Sequence, residues 1–205
     1  MTVALKKLKK WFINYRKRSN ALKQFSNNSC YDIDLKLYLD KFFKFFPSNE
    51  GDNELKQDFS LIMSSGTGYN DAWLGNGPYR DASYTIALYK SKHKKNVSGY
   101  LCCIGFDVQK VTKSEIVVKQ IQGSFGKEGL LRLFKWERMM LKVLTDWASQ
   151  NGFKKIWVIM AKNSFYYNRY GEDRKKRMYM HYDITARRSG FSFDETNKQY
   201  FKVLD

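Results

Sequence analysis

The sequence predicts a mixed α/β (α+β) fold: an antiparallel meander of three strands, then alternating helices and strands. Three observations predict it. First, SYTIALYKS (83–91), VSGYLCCIGFDV (97–108) and SEIVVKQIQGS (114–124) are β-rich runs of strand length, with HKKN and QKVTK between them as turns. Second, Gly129 to Gln150 repeats apolar residues at helical spacing, through Leu130, Leu133, Phe134, Met140, Leu141, Leu144 and Ala148. Third, KKIWVIMA is a short apolar run of the kind buried on both faces of a sheet, and YFKVL closes the chain as another strand.

The elements follow in chain order. VALKKLKKWFINYRKRSNALKQF is a basic helix, with Leu5, Leu8, Phe12 and Tyr15 at helical spacing and Lys/Arg over most of the rest. SNNS (26–29) ends it. LKLYLDKFFKFF, beginning near Asp32 and stopping at Pro47, is a second helix, and NELKQDFSLIM reads as a third after the polar loop PSNEGDN. Ser64 to Asp81 is a glycine-rich loop long enough to be functional. The meander comes next, then the helix stopped by Asn151-Gly152. Asn163 to Ser189 is a second basic segment, holding a helix whose C-terminal part is MHYDITARRSGF. The expected organisation is a basic helical extension over 1–56 and an α/β domain over 57–205.

Composition narrows the function. With 43% hydrophobic residues, 15 Phe, 14 Tyr and 5 Trp, the 205-residue chain has ample material for a core. No apolar run reaches the ~18 residues of a membrane span, and the first residues lack a secretory apolar stretch. Cys30, Cys102 and Cys103 are odd in number, and adjacent cysteines in a strand point to opposite faces, so reduced thiols in a cytoplasmic protein are expected. Two histidines and no zinc-type spacing argue against a metal site.

The net charge is +17, and it is clustered. Residues 1–25 hold eight Lys/Arg and no acid, and residues 154–190 hold ten Lys/Arg against Glu172, Asp173 and Asp183. Concentrated positive charge suits a polyanion. In KKWFINYRKR and NRYGEDRKKRMYMHY the basic residues are interleaved with aromatics, as suits phosphate contact plus base stacking. The expected partner is nucleic acid, RNA or DNA, or a ribonucleoprotein. A membrane surface ranks behind it, and protein partners stay open. Candidate contacts are Lys6, Lys7, Lys10, Trp11, Arg16, Arg18, Arg174, Lys175, Lys176 and Arg177.

At the strand-to-helix junction, VVKQIQGSFGKEGLLRLF (117–134) spaces three of the chain's 13 glycines as Gly123, Gly126 and Gly129. They make either a simple corner or a cradle where backbone amides, the first turn of a helix, Lys127 and Arg132 meet an anion.

These elements resemble the GCN5-related N-acetyltransferase (GNAT) superfamily over roughly Ser83 to Leu204. The resemblance rests on Gln120-Ile121-Gln122-Gly123 before the long helix, on Trp136 within it, on Asn163 after the apolar strand with Tyr170 seven positions on, and on HYDITARRSGF (181–191) before the last strand. It implies a mixed sheet with helices on its faces and acetyl-CoA as acyl donor. It also implies a cofactor set of Gln120, Ile121, Gln122, Gly123, Gly126, Lys127, Gly129 and Asn163. A tyrosine often protonates the leaving thiolate in such enzymes, which makes Tyr182 and Tyr170 the catalytic candidates. Glu115 and Glu137 are candidate bases, and the loop from Tyr69 to Arg80 would shape the acceptor site. The second glycine comes one residue later than in the family's loop motif, and Ala186 stands where the usual tyrosine would be. Two functions remain from this reading. One is an N-acyltransferase acting on an amine on or near a polyanionic partner such as tRNA. The other is a catalytically inactive GNAT-like fold serving as a basic nucleic-acid-binding or complex-assembly subunit.

Overall fold

The computed structural model describes residues 3–27, 30–32, 59–67, 78, 80–90 and 99–204. Helix α1 (Val3–Ser26) is followed by strands β1 (Cys30–Asp32), β2 (Ser60–Ser65), β3 (Tyr84–Tyr89), β4 (Tyr100–Val108) and β5 (Glu115–Gly123). Then come α2 (Glu128–Phe134), α3 (Trp136–Gln150) and β6 (Lys155–Ile159). Helix α4 (Glu172–Tyr179) runs through a π turn (Met180–Ile184) into α5 (Thr185–Arg188), before β7 (Ser192–Asp194) and β8 (Gln199–Val203). Among the described residues the strands form one sheet in the order β1-β2-β3-β4-β5-β6-β8-β7. Every neighbouring pair is antiparallel except β5 and β6, which run parallel. Among the described residues, the meander, the single parallel pair and the closing antiparallel strand give the mixed α/β sheet that the sequence predicts.

Burial follows the pleat. Leu61, Met63, Ile86, Leu88, Cys102, Ile104, Phe106, Ile116, Val118, Ile156, Val158 and Tyr200 face one core, shared with Phe25 of α1 and Met139, Met140 and Leu144 of α3. Phe25 sits edge-on to Phe106 and Trp147, with centroids 5.5 and 5.2 Å away, and so fastens α1 to the sheet and to α3. A smaller cluster of Ile62, Ala87, Tyr89, Tyr100 and Cys103 lies on the opposite face. Cys102 and Cys103 thus divide between the two faces, and neither is in a disulfide.

Three sequence expectations are corrected. The helix expected over NELKQDFSLIM is, from Ser60 on, strand β2. Its burial is two-sided, Leu61 and Met63 on one face and Ile62 on the other, which a strand between two neighbours allows and a one-faced helix does not. The single helix expected over Gly129–Gln150 is two, because Lys135 adopts the left-handed conformation (φ 44°, ψ 49°) and ends α2 before α3 begins. The end of the chain contributes a hairpin, β7 with β8, rather than one strand. The helix expected over 32–47 and the boundary at 56/57 lie outside the described residues, except that Asp32 ends β1.

In α1, Phe12 and Tyr15 of the apolar stripe are exposed, and the docked positions are Arg18, Ala21 and Phe25. No helix among the described residues is long and apolar enough to cross a membrane.

Candidate active site at a split between parallel strands

Strand β5 pairs with β6 only from Glu115 to Val118, opposite Lys155 to Val158. At that point β5 bulges. Phe106 of β4 faces Val118 and Gly105 faces Gln120, so Lys119 has no opposite residue. The bulge reverses the alternation. Ile116 and Val118 face the main core before it, and Ile121 faces it afterwards, which sends Gln120 and Gln122 to the other side. Gly105 makes room for this, since a Cβ there would lie 2.9 Å from Gln120 Oε1.

Beyond the bulge the outer edge of β5 is released from β6. The Tyr182 hydroxyl fills the mouth of the split, donating to the Lys119 carbonyl (3.0 Å) and accepting from the Ile121 amide (3.1 Å). By strand alternation the Ile121 carbonyl and the Gly123 amide face the same edge further along. The Ser124 amide turns the other way, donating to the Leu101 carbonyl at 2.7 Å.

The three glycines stand in three different settings. At Gly123 a Cβ would come within 3.0 Å of Leu131 Cδ1 and 3.1 Å of Trp136 Cζ2, so the residue lets α2 and α3 close on the strand. Gly126 has φ +75° in open space, a left-handed turn that exposes Phe125 and Lys127. Gly129 has neither crowding nor positive φ. Glu128 stands in the first turn of α2, where an acid already complements the helix dipole.

Tyr182 is fully buried. Burial pushes its hydroxyl pKa well up, only partly offset by the Ile121 amide, so it stays protonated at any physiological pH. Its neighbour Asp183 is 1% exposed. One carboxylate oxygen accepts from the Ala161 amide (2.9 Å), and the other from the Tyr200 hydroxyl (3.2 Å), whose oxygen also receives Arg187 Nε at 3.0 Å. HYDITARRSGF therefore ties the π turn to β5, to the end of β6 and to β8. Replacing Tyr182 by Phe strands two buried backbone groups, and the expected loss is ~1–3 kcal/mol in urea unfolding.

The other predicted residues disperse. Gln120 Nε2 donates to Gln122 Oε1 (2.7 Å), and the Gln122 carbonyl accepts from Tyr100. Asn163 is exposed and donates to the Lys198 carbonyl at 3.4 Å. Tyr170 is stacked on Tyr166, with 20° between the ring planes. Glu115 accepts from Trp157 Nε1 (2.7 Å) at the opposite end of β5, and Glu137 pairs with His181 at 2.8 Å. Lys10, Trp11 and Arg16 are exposed on α1, as are Arg174, Lys176 and Arg177 on α4. Lys175 pairs with Glu172. Arg18 is only 5% exposed and donates to the Gly152 carbonyl (2.9 Å), a packing role rather than a phosphate contact. The side chains of Lys6 and Lys7 and the acceptor loop at 69–77 lie outside the described residues. Burial pushes both Cys102 and Cys103 thiols up, Cys103 to about 12, so neither is a ready nucleophile.

Sequence reasoning missed Asp81. Its amide donates to Gln120 Oε1 (3.1 Å), placing it on the Gln120 side of the bulge. Burial raises the pKa of its carboxyl, and a hydrogen bond from Tyr166 partly offsets this. The same carboxylate raises the Tyr182 pKa further, which puts both within electrostatic reach of one another. Its only sequence signal is position, at the end of the glycine-rich loop just before the meander.

No protein-family profile and no curated protein matches the chain. Among solved structures it is similar to an acetyltransferase of the GNAT family from Staphylococcus aureus Mu50, at 9% identity and TM-score 0.37, covering 86% of this chain and 100% of that one. It is also similar to a probable GNAT-family acetyltransferase from Chromobacterium violaceum ATCC 12472, at 14% identity and TM-score 0.35, covering 85% and 84%.

Proposed function

We propose that the chain is an N-acyltransferase that moves an acetyl group from acetyl-CoA to an amine carried on or near a polyanionic partner such as tRNA or a ribonucleoprotein. The observation that supports this best is the released edge of β5. β6 leaves at Val118, Lys119 bulges, and Ile121 and Gly123 present a carbonyl and an amide leading to the left-handed turn at Gly126. An amide-bearing arm such as pantetheine is recognised by such an edge in the way a strand is. The pyrophosphate would meet the Gly126 turn, Lys127 and the unsatisfied first-turn amides of α2. When bound, the coenzyme supplies an activated acetyl thioester.

The chain's own residues then have distinct tasks. Asp81, half-buried with a raised pKa, accepts the proton of the incoming amine. Tyr182 holds the bulge open and keeps a protonated hydroxyl at the mouth of the split. The basic faces of α1 and α4 hold the partner.

Calorimetric titration of acetyl-CoA tests the reading. The parent is expected to bind, and Gly126→Val to lose that binding, because a β-branched residue does not hold φ +75°. Absence of binding by folded parent protein would favour the second reading, an inactive fold that acts as a basic nucleic-acid-binding or assembly subunit. That reading draws on Glu128, whose carboxylate competes with a phosphate at α2, and on the Tyr182 hydroxyl being already engaged.

A further inference from the structure

We propose that the surface segment Ser164–Lys175 is a stacking platform for unpaired nucleotides, set beside the Asp81 carboxylate. The inference rests on the nucleic-acid part of the reading above and names the form of nucleic acid and the residues that take it.

The segment sets one exposed ring, Phe165, beside the half-buried Tyr166 and Tyr170. Phe165 is 70% exposed. The Arg169 guanidinium lies 4.3 Å from its ring centroid, and Tyr166 meets it edge-on at 5.1 Å. Tyr166 stacks on Tyr170 with 20° between ring planes, and the Arg174 guanidinium lies 5.1 Å from the Tyr170 centroid. Among the described residues neither Arg169 nor Arg174 has an acidic partner, whereas Lys175 next in line is paired with Glu172. An exposed ring beside half-buried ones, layered with guanidinium groups that lack an acidic partner, is a surface on which splayed bases stack, while the same cations meet the phosphates. A duplex keeps its bases stacked internally and offers these faces little. Charge complementarity supports this occupant, since 154–190 carries ten Lys/Arg against three acids.

The place in the fold adds meaning. The Tyr166 hydroxyl bonds Asp81, and the Asp81 amide bonds Gln120 at the bulge of β5. A nucleotide on the platform would therefore lie next to the split, with an amine on its base or on a group attached to its sugar close to Asp81.

The test measures fluorescence anisotropy of labelled 12-nucleotide unstructured RNA, the same sequence as DNA, and a 12-base-pair duplex, across a salt series, on the full chain. The single strands are expected to bind more tightly than the duplex. Phe165→Ala, which removes an exposed ring and no charge, is expected to weaken single-strand binding by about tenfold with an unchanged salt slope. Tyr170→Phe should retain binding and Tyr170→Ala lose it, which separates stacking from any role of the hydroxyl. Equal affinity for duplex and single strand, or an affinity within twofold of parent in Phe165→Ala, would overturn the platform while leaving a purely electrostatic contact. No binding to any of the three would overturn the platform and the nucleic-acid reading together. Acetyl-CoA titration of the same variants reports separately on the split.

Discussion

Asp183→Ala is expected to be the most destabilising single change near the site. The carboxylate is almost wholly enclosed and satisfies the Ala161 amide and the Tyr200 hydroxyl. Alanine leaves both donors buried without an acceptor, at a cost of about 3 kcal/mol. In a chain of this size each kcal/mol moves the melting temperature by roughly 2–4 °C, so a fall of about 10 °C is expected by calorimetry. Asp183→Asn retains one acceptor oxygen and should recover part of the loss. A melting temperature within ~2 °C of parent for the alanine variant would mean the π turn is held by packing alone.

Asp81→Asn is expected to lower turnover by roughly 10²- to 10⁴-fold, the range for removal of a general base. In the parent, activity should rise with pH as Asp81 ionises, with its acid limb above the ordinary carboxylate value, because burial favours the neutral acid. In the Asn variant that limb should vanish. Stability should move the other way. A carboxyl with a raised folded-state pKa contributes stability that is fully present below the unfolded value and is lost as pH rises through the folded value. At neutral pH the charge is thus a burden, and the Asn variant should melt at the same or a higher temperature than parent. Lost activity with retained stability identifies a functional carboxylate. Lost activity with lost stability identifies a structural one.

The readable parts of this fold are those that local periodicity governs. The meander was legible because the runs around Ile86, Ile104 and Val118 have strand character and are separated by polar turns. The parallel strand was legible because Ile156, Trp157 and Val158 are apolar on both faces. QIQG marked the junction where β5 ends and α2 follows. The break at Lys135 was not legible, since a lysine in the left-handed region has no compositional mark where glycine would have had one. The strand character of Ser60–Ser65 was hidden because SLIM suits helix or strand equally until neighbours β1 and β3 pair with it.

Of the candidate site, the sequence by itself determined the glycine junction, the motif containing Tyr182 and Asp183, and the two basic blocks. All of these are local matters of residue type and spacing. Only the tertiary structure decided where they sit and what they touch. It placed a bulge at Lys119, which depends on the register of β4 against β5. It assigned Tyr182 rather than Tyr170 to the split, because a hydroxyl 61 residues away in the chain meets the Ile121 amide. It withdrew Arg18 into the core and brought Asp81 to Gln120 across 39 residues. Such contacts arise when distant backbone groups satisfy one another in a folded sheet, and no local pattern encodes them.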